Sequence, residues 1–211
     1  MRSLKNTGGS IVMPKKIQVL SLFILVVSLT LILSSCGGLR YSQVNPNAKD
    51  FHPETIGILP VDVGAYGEAR GVVDQIFAGI LVDKGWFSDV ASPERMKSLM
   101  VYNPDVRKAV VDCLTKLQTV NFSDPELTRE IGEKYKIDAF LVINVDFWNY
   151  TTEGEDKVAK VGFAVKLVEA KTGRIMWEAG HHEVEDYWLI KPDLADLADN
   201  VAGTMIESMP H

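Results

Sequence analysis

Residues able to do chemistry are sparse in this chain, with 4 histidines and 2 cysteines among its 211 residues. The compact group of metal-ligand types is His181-His182-Glu183, followed by Glu185 and Asp186. On a strand His181 and Glu183 share one face and His182 takes the other, so at most part of a closed four-ligand zinc site could form there. A hairpin end at the surface is the simpler reading, and whether His181, His182 and Glu183 take part in any site stays open. "GAYGEARG", Gly64–Gly71, joins an apolar run to a helical one, where a phosphate loop would sit. It lacks the GxGxxG spacing and a lysine, and Glu68 would oppose an anion at the helix start. Asp193, Asp196 and Asp199 open the last helical stretch, where carboxylates meet the helix dipole favourably. No Ser, His and Asp arrangement has local support. The expectation is therefore no catalytic residue, no metal site and no bound cofactor, so an enzyme is not expected.

The strongest chemical signal belongs to Cys36. Behind the basic pair Lys15 and Lys16, the run Ile17–Leu33 is almost wholly apolar and stops at Ser34-Ser35-Cys36-Gly37-Gly38. Its length falls between a secretory h-region of roughly 7 to 15 residues and a spanning helix of about 20. The order Leu33-Ser34-Ser35-Cys36 resembles the lipobox of bacterial lipoproteins. That resemblance implies a diacylglyceryl thioether on Cys36, cleavage before it and acylation of the new amino group, with an uncleaved span as the alternative. Residues 1–35 are then a signal peptide whose true start could be Met13, and the covalent lipid is the membrane anchor. One acyl chain binds marginally at about 0.8 kcal/mol per buried methylene, so two or three give durable attachment. Gly37 and Gly38 lack the aspartate that retains such proteins in the inner membrane of enteric bacteria. The expectation is the periplasmic face of the outer membrane, with the periplasmic side of the inner membrane as the alternative.

Composition narrows the partners. The chain carries 22 basic and 28 acidic residues, and losing Arg2, Lys5, Lys15 and Lys16 with the leader leaves a more acidic remainder. Such a surface repels phosphate backbones, so nucleic acid is excluded as a partner. Acylation of Cys36 leaves Cys113 without a disulfide partner, and its neighbours Val110, Leu114 and Leu117 make it a small buried hydrophobe.

The elements follow from periodicity. Residues 36–53 hold the lipidated cysteine and a tether, and 54–211 form one periplasmic domain. Thr55–Val63 is apolar on both faces, as in a central strand. Val72, Val73, Ile76, Phe77, Ile80 and Leu81 form a helical stripe stopped by Gly85. A short strand over 86–92 precedes helices opened by Ser92-Pro93, Asn103-Pro104 and Asp124-Pro125. "AFLVINVDFW" from Ala139 and the alternating Ala159–Leu167 are strands, and Lys171–Arg174 is a tight turn in which Gly173 takes positive φ. Leu194, Leu197, Ala198, Val201 and Met205 stripe a last helix. The order is βαβ, then helices, then βββ, then a C-terminal helix. The fold class is α/β (α+β), with a mixed sheet of about five strands.

"IGILPVD", "DKGWF", "KYKIDAFLVINV" and "VKLVEAKTGRIMWEA" together resemble the α/β domain shared by the curli-secretion lipoprotein CsgG, the TolB N-terminal domain and small envelope lipoproteins. The likeness covers roughly residues 56–205 and is a pattern of strands and turns, so it implies a fold more than an activity. CsgG crosses the outer membrane with additional hairpins. "NYTTEGEDK" reads as a loop too short and acidic for that, so pore formation is not carried over.

Phe147, Trp148, Tyr150, Tyr187 and Trp188 fall near strand ends, where aromatics act as interface anchors or pack at the core edge. They are the candidate partner-binding residues. The reading is a lipid-anchored, non-catalytic binding or assembly module, accessory to secretion or transport. Its partners are envelope proteins, a homo-oligomer included, and it meets the membrane through its lipid. The alternative is a membrane-tethered hydrolase or metal-dependent enzyme. Metabolic labelling with an alkyne fatty acid is expected to mark the wild type and not Cys36→Ser; equal labelling of both would end the lipoprotein reading.

Overall fold

The structure is a computed structural model that describes residues 39–211. The expected signal peptide and Cys36 lie outside the described residues. One mixed sheet contains β1 (Tyr41–Val44), β2 (Thr55–Ile58), β3 (Asp89–Ala91), β4 (Ala139–Glu153), β5 (Asp156–Glu169) and β6 (Ile175–Asp186). Their spatial order is β1-β6-β5-β4-β2-β3. The helices are α1 (Val72–Lys84), α2 (Pro93–Tyr102), α3 (Pro104–Val120), α4 (Pro125–Tyr135) and α5 (Leu194–Ile206). β2 runs parallel to β3 and β4, and the remaining pairs are antiparallel. This is the α/β class and the mixed sheet that a crossover followed by hairpins implies.

The sixth strand corrects the tether. Residues 41–44 pair with β6, Tyr41 opposite Gly180 and Val44 opposite Trp177, and a 3₁₀ turn follows over Pro46–Asp50. All four β1 residues are exposed, so no hydrophobic alternation marks the strand, and backbone pairing alone defines it. β2 is also shorter than the apolar run Thr55–Val63. Pro60 has no N–H to donate, so regular pairing stops before it and resumes in the single bridge Asp62–Asn144.

Helix boundaries follow local cap chemistry. Ser92 accepts from the Arg95 N–H, Asn103 from those of Asp105 and Val106, and Asp124 from those of Glu126 and Leu127. Each is followed by proline in the first turn, where the missing N–H costs no intrahelical bond. Gly85 ends α1 at φ +64°.

Two cores sandwich the sheet. α1 and α5 cover one face, burying Phe77, Leu81, Val201 and Met205 with Leu141, Phe163 and Trp177. Trp177 is wholly inaccessible and its Nε1 donates to Ser42 Oγ at 2.9 Å. α2, α3 and α4 cover the β2–β4 end of the other face through Met96, Val110, Cys113 and Ile131 against Phe140, Val142 and Val168. Cys113 is buried, and desolvation first, then the charge of Asp124, pushes its thiol up to about 12, as an inert core residue requires.

The long β4–β5 hairpin overturns two expectations. Asn149–Lys157 is no separate loop: both strands run on to the pair Glu153–Asp156, and Gly154 turns the chain at φ +66°. Before that, β4 carries a bulge. Val145 pairs with Phe163 and Phe147 with Gly162, which leaves Asp146 as an extra residue. Strict alternation from Val145 would point Phe147 into the α1/α5 core and Trp148 away. The bulge inverts this, so Trp148 lies opposite Val161 in that core, 7% exposed, and is no surface anchor.

Two stability outcomes follow. Gly173 has φ +71°, and a Cβ there would stand 3.0 Å from Pro125 Cα. Gly173→Val is expected to destabilise by about 1–3 kcal/mol in urea titration, and wild-type stability would mean a turn of another kind. Trp148→Ala should cost about 3–5 kcal/mol as a core truncation. Trp188→Ala, at a site 86% exposed, should melt with the wild type, and equal melting of all three proteins would contradict the bulge register.

Candidate functional site

The part of the sheet that α2–α4 leave uncovered is laid out by strand register. Four rows cross it: Val142–Lys166–Glu178–Gln43, Asn144–Ala164–Gly180–Tyr41, Phe147–Gly162–His182 and Asn149–Lys160–Val184. Beyond Val142 the side chains are half-buried or exposed, apart from the two glycines. Each glycine lies beneath an aromatic plate. A Cβ on Gly180 would stand 2.3 Å from the Tyr41 ring, and one on Gly162 would stand 2.9 Å from the Phe147 ring and 2.6 Å from His182 Cβ. The rings occupy space that any larger residue in the strand would fill.

Charges border these plates. Lys160 Nζ lies 4.4 Å from the Phe147 ring centre and 2.8 Å from Glu153. Lys166 Nζ donates to Asn121 at 2.6 Å and to Glu178 at 3.1 Å. Arg40 lies 2.9 Å from His182 Nδ1. Burial first, then the charges of Arg40 and Lys160, hold the His182 imidazole below its usual range. A neutral ring can accept from the guanidinium there. Tyr41, Phe147 and Arg40 on an open sheet face suit protein contact, where aromatic residues and Arg are enriched.

The five expected partner-binding aromatics do not form one surface. Phe147 belongs to this face, while Trp148 is in the opposite core. Tyr150 and Tyr187 meet edge to face, with ring centres 5.8 Å apart, near the end of the hairpin. Tyr150 donates to Pro192 O at 2.7 Å. Trp188 stands apart with Leu189 and Ile190, which are 86%, 77% and 86% exposed. Tyr41 and Ile190 are residues the sequence reading missed. The signal for Tyr41 was two glycines inside otherwise apolar strands, a pattern that calls for an aromatic cover.

The histidine cluster divides as strand alternation requires. His181 is buried on the α1/α5 side with its Nε2 3.7 Å from Glu183, whereas His182 is on the opposite face. No group of three or more potential metal ligands occurs among the described residues. An open depression of about 790 Å³ between β2 and α4 is bordered by His52, Glu54, Arg129, Asp138 and Lys171. Its central carboxylate is already used: Asp138 Oδ2 accepts from the Glu54 and Thr55 N–H groups and the Thr55 hydroxyl. At the Gly64–Gly71 turn the Asp62 carboxylate accepts from Gly64 N–H, and Asp193 caps α5 through the Ala195 N–H. No helix among the described residues is long and apolar enough to cross a membrane.

No protein-family profile matches the chain, and no curated protein matches its sequence. Solved structures do resemble it. The PelC dodecamer from Paraburkholderia phytofirmans superposes with a TM-score of 0.50 at 16% identity, over 79% of this chain and 92% of that one. The lipoprotein GNA1162 from Neisseria meningitidis gives 0.51 at 17% identity, over 74% of this chain and all of that one (100%). At such identities the likeness is one of fold. The fold of this chain is thus similar to that of a lipoprotein and to that of a protein that assembles as a dodecamer.

Proposed function

We propose that the chain is a lipid-anchored envelope lipoprotein, non-catalytic and without a cofactor beyond the lipid on Cys36. It acts as a binding or assembly module, accessory to secretion or transport, through contacts with envelope proteins and with copies of itself. The observation that carries this reading is the uncovered sheet face, where Tyr41 and Phe147 cover Gly180 and Gly162 among Arg40, Lys160 and Lys166. An open sheet face bearing Tyr, Phe and Arg fits a protein surface better than a small-molecule cleft. Fold likeness to GNA1162 and to the PelC dodecamer supports both the anchored setting and self-association. The motif resemblance to CsgG and TolB belongs to the same reading. Outer-membrane placement rests on Gly37 and Gly38.

Photo-crosslinking amino acids placed at Gln43 and Val184, both on the uncovered face, are expected to give protein adducts in intact envelopes. The same probe at Val111, exposed on the outer side of α3, should give none. Equal adducts from all three positions, or none from the first two, would move the contact surface elsewhere.

A further inference from the structure

The sequence pattern groups Trp188 with a protein-binding rim, but the fold sets it on a different element with a different neighbour. Trp188, Leu189 and Ile190 are consecutive, large and apolar, and each is more than three-quarters exposed. The segment is held at both ends. Tyr187 N–H donates to Lys157 O at 2.9 Å, and at the far end Pro192 O accepts from Tyr150 while Asp193 caps α5. Lys191 Nζ lies 4.5 Å from the Tyr150 ring centre. The apolar tip is thus presented by a fixed frame, and little ordering remains to be done when it is covered.

What covers it follows from where the chain leaves the domain. β1 is antiparallel to β6, and Tyr41 lies opposite Gly180, so residues before Tyr41 run towards the end of β6 from which Tyr187 and Trp188 emerge. The contact of Arg40 with His182 continues that direction. Cys36 is three residues before Leu39, and a chain extends at most about 3.6 Å per residue, so the tether between them spans at most about 11 Å from Cα to Cα.

We propose that Trp188, Leu189 and Ile190 form a second membrane contact, inserting into the headgroup and upper acyl region of the bilayer that holds the lipid anchor. This rests on the proposed acylation. Tryptophan settles at the headgroup level, Leu and Ile enter the acyl boundary, and Lys191 remains at the polar surface. Glu155, Asp156 and Asp186 line a shallow depression beside Trp188 together with Lys157, so a zwitterionic surface suits the tip better than an anionic one. Two attachment points fix the orientation of the domain, with the Gly173 turn pointing away from the bilayer.

The test uses the full chain, purified from membranes and reconstituted in phosphatidylcholine vesicles with or without brominated acyl chains, its acylation read by mass spectrometry of the N-terminal peptide. Trp148 and Trp177 are buried and Trp86 is half-buried against His211, so Trp188 dominates contact quenching. Brominated chains should quench and blue-shift part of the wild-type emission. That component should be absent in Trp188→Phe and reduced in the Leu189→Ser, Ile190→Ser double variant. Equal quenching of wild type and Trp188→Phe would overturn the proposal. So would an acylated protein whose Trp188 stays unquenched, including one in which Trp188 crosslinks to an envelope protein instead. If Cys36 proves unacylated, the anchored-lipoprotein reading fails, and the quenching of Trp188 in the same vesicles still decides this contact.

Discussion

The register of the β4–β5 hairpin is the constraint on which the rest of the molecule depends. From Ala139–Glu169 to Glu153–Asp156 it sets which side chains face each helical layer, and β6 then pairs along β5 to complete the antiparallel half of the sheet. Its one irregularity lies where β4 loses its second neighbour. Up to Val145, β4 is bonded on both sides, ending with the Val145 N–H donating to Asp62 O at 2.8 Å. Beyond that point only β5 remains, and the extra residue Asp146 is accommodated there. The bulge turns Trp148 inward, where it extends the α1/α5 core along the hairpin, and turns Phe147 outward over Gly162.

The two ends of the sheet are thereby made different. At the β2–β4 end the turn containing Gly173 is closed against Pro125 and Thr128 of α4, and three helices seal the face. At the other end the Trp188–Ile190 segment follows the hairpin tip, and β1 begins on the same side, opposite Gly180. β1 contributes little burial of its own, yet its antiparallel pairing decides at which end the chain leaves the domain. A parallel strand in the same place would send the residues before Tyr41 towards the Gly173 turn instead.

Cap and turn chemistry made much of this legible in advance, because its causes are local. Ser92, Asn103, Asp124 and Gly85 each end or begin a helix through contacts within a few residues, and Gly173 announces a turn by its freedom at positive φ. The misses share a non-local cause. β1 exists because β6 offers an unpaired edge, which no property of Tyr41–Val44 reveals. Trp148 is buried because a bulge forms where the Asp62 bridge stops supporting β4, and period-two alternation carries no mark of that event. Of the candidate site, the aromatic residue types and their place near strand ends were legible. Their division among a core, an open sheet face and an exposed tip depends on the register of three strands and was not.

The direction of β1 is therefore the most informative quantity to measure, and nuclear Overhauser contacts between backbone protons of residues 41–44 and 177–180 report it directly. A descending register, with Tyr41 beside Gly180, Ser42 beside Ala179 and Val44 beside Trp177, is expected. An ascending register would send the chain exit away from Trp188, and no contact between the two segments would remove its placement; either would contradict the proposed membrane-facing end.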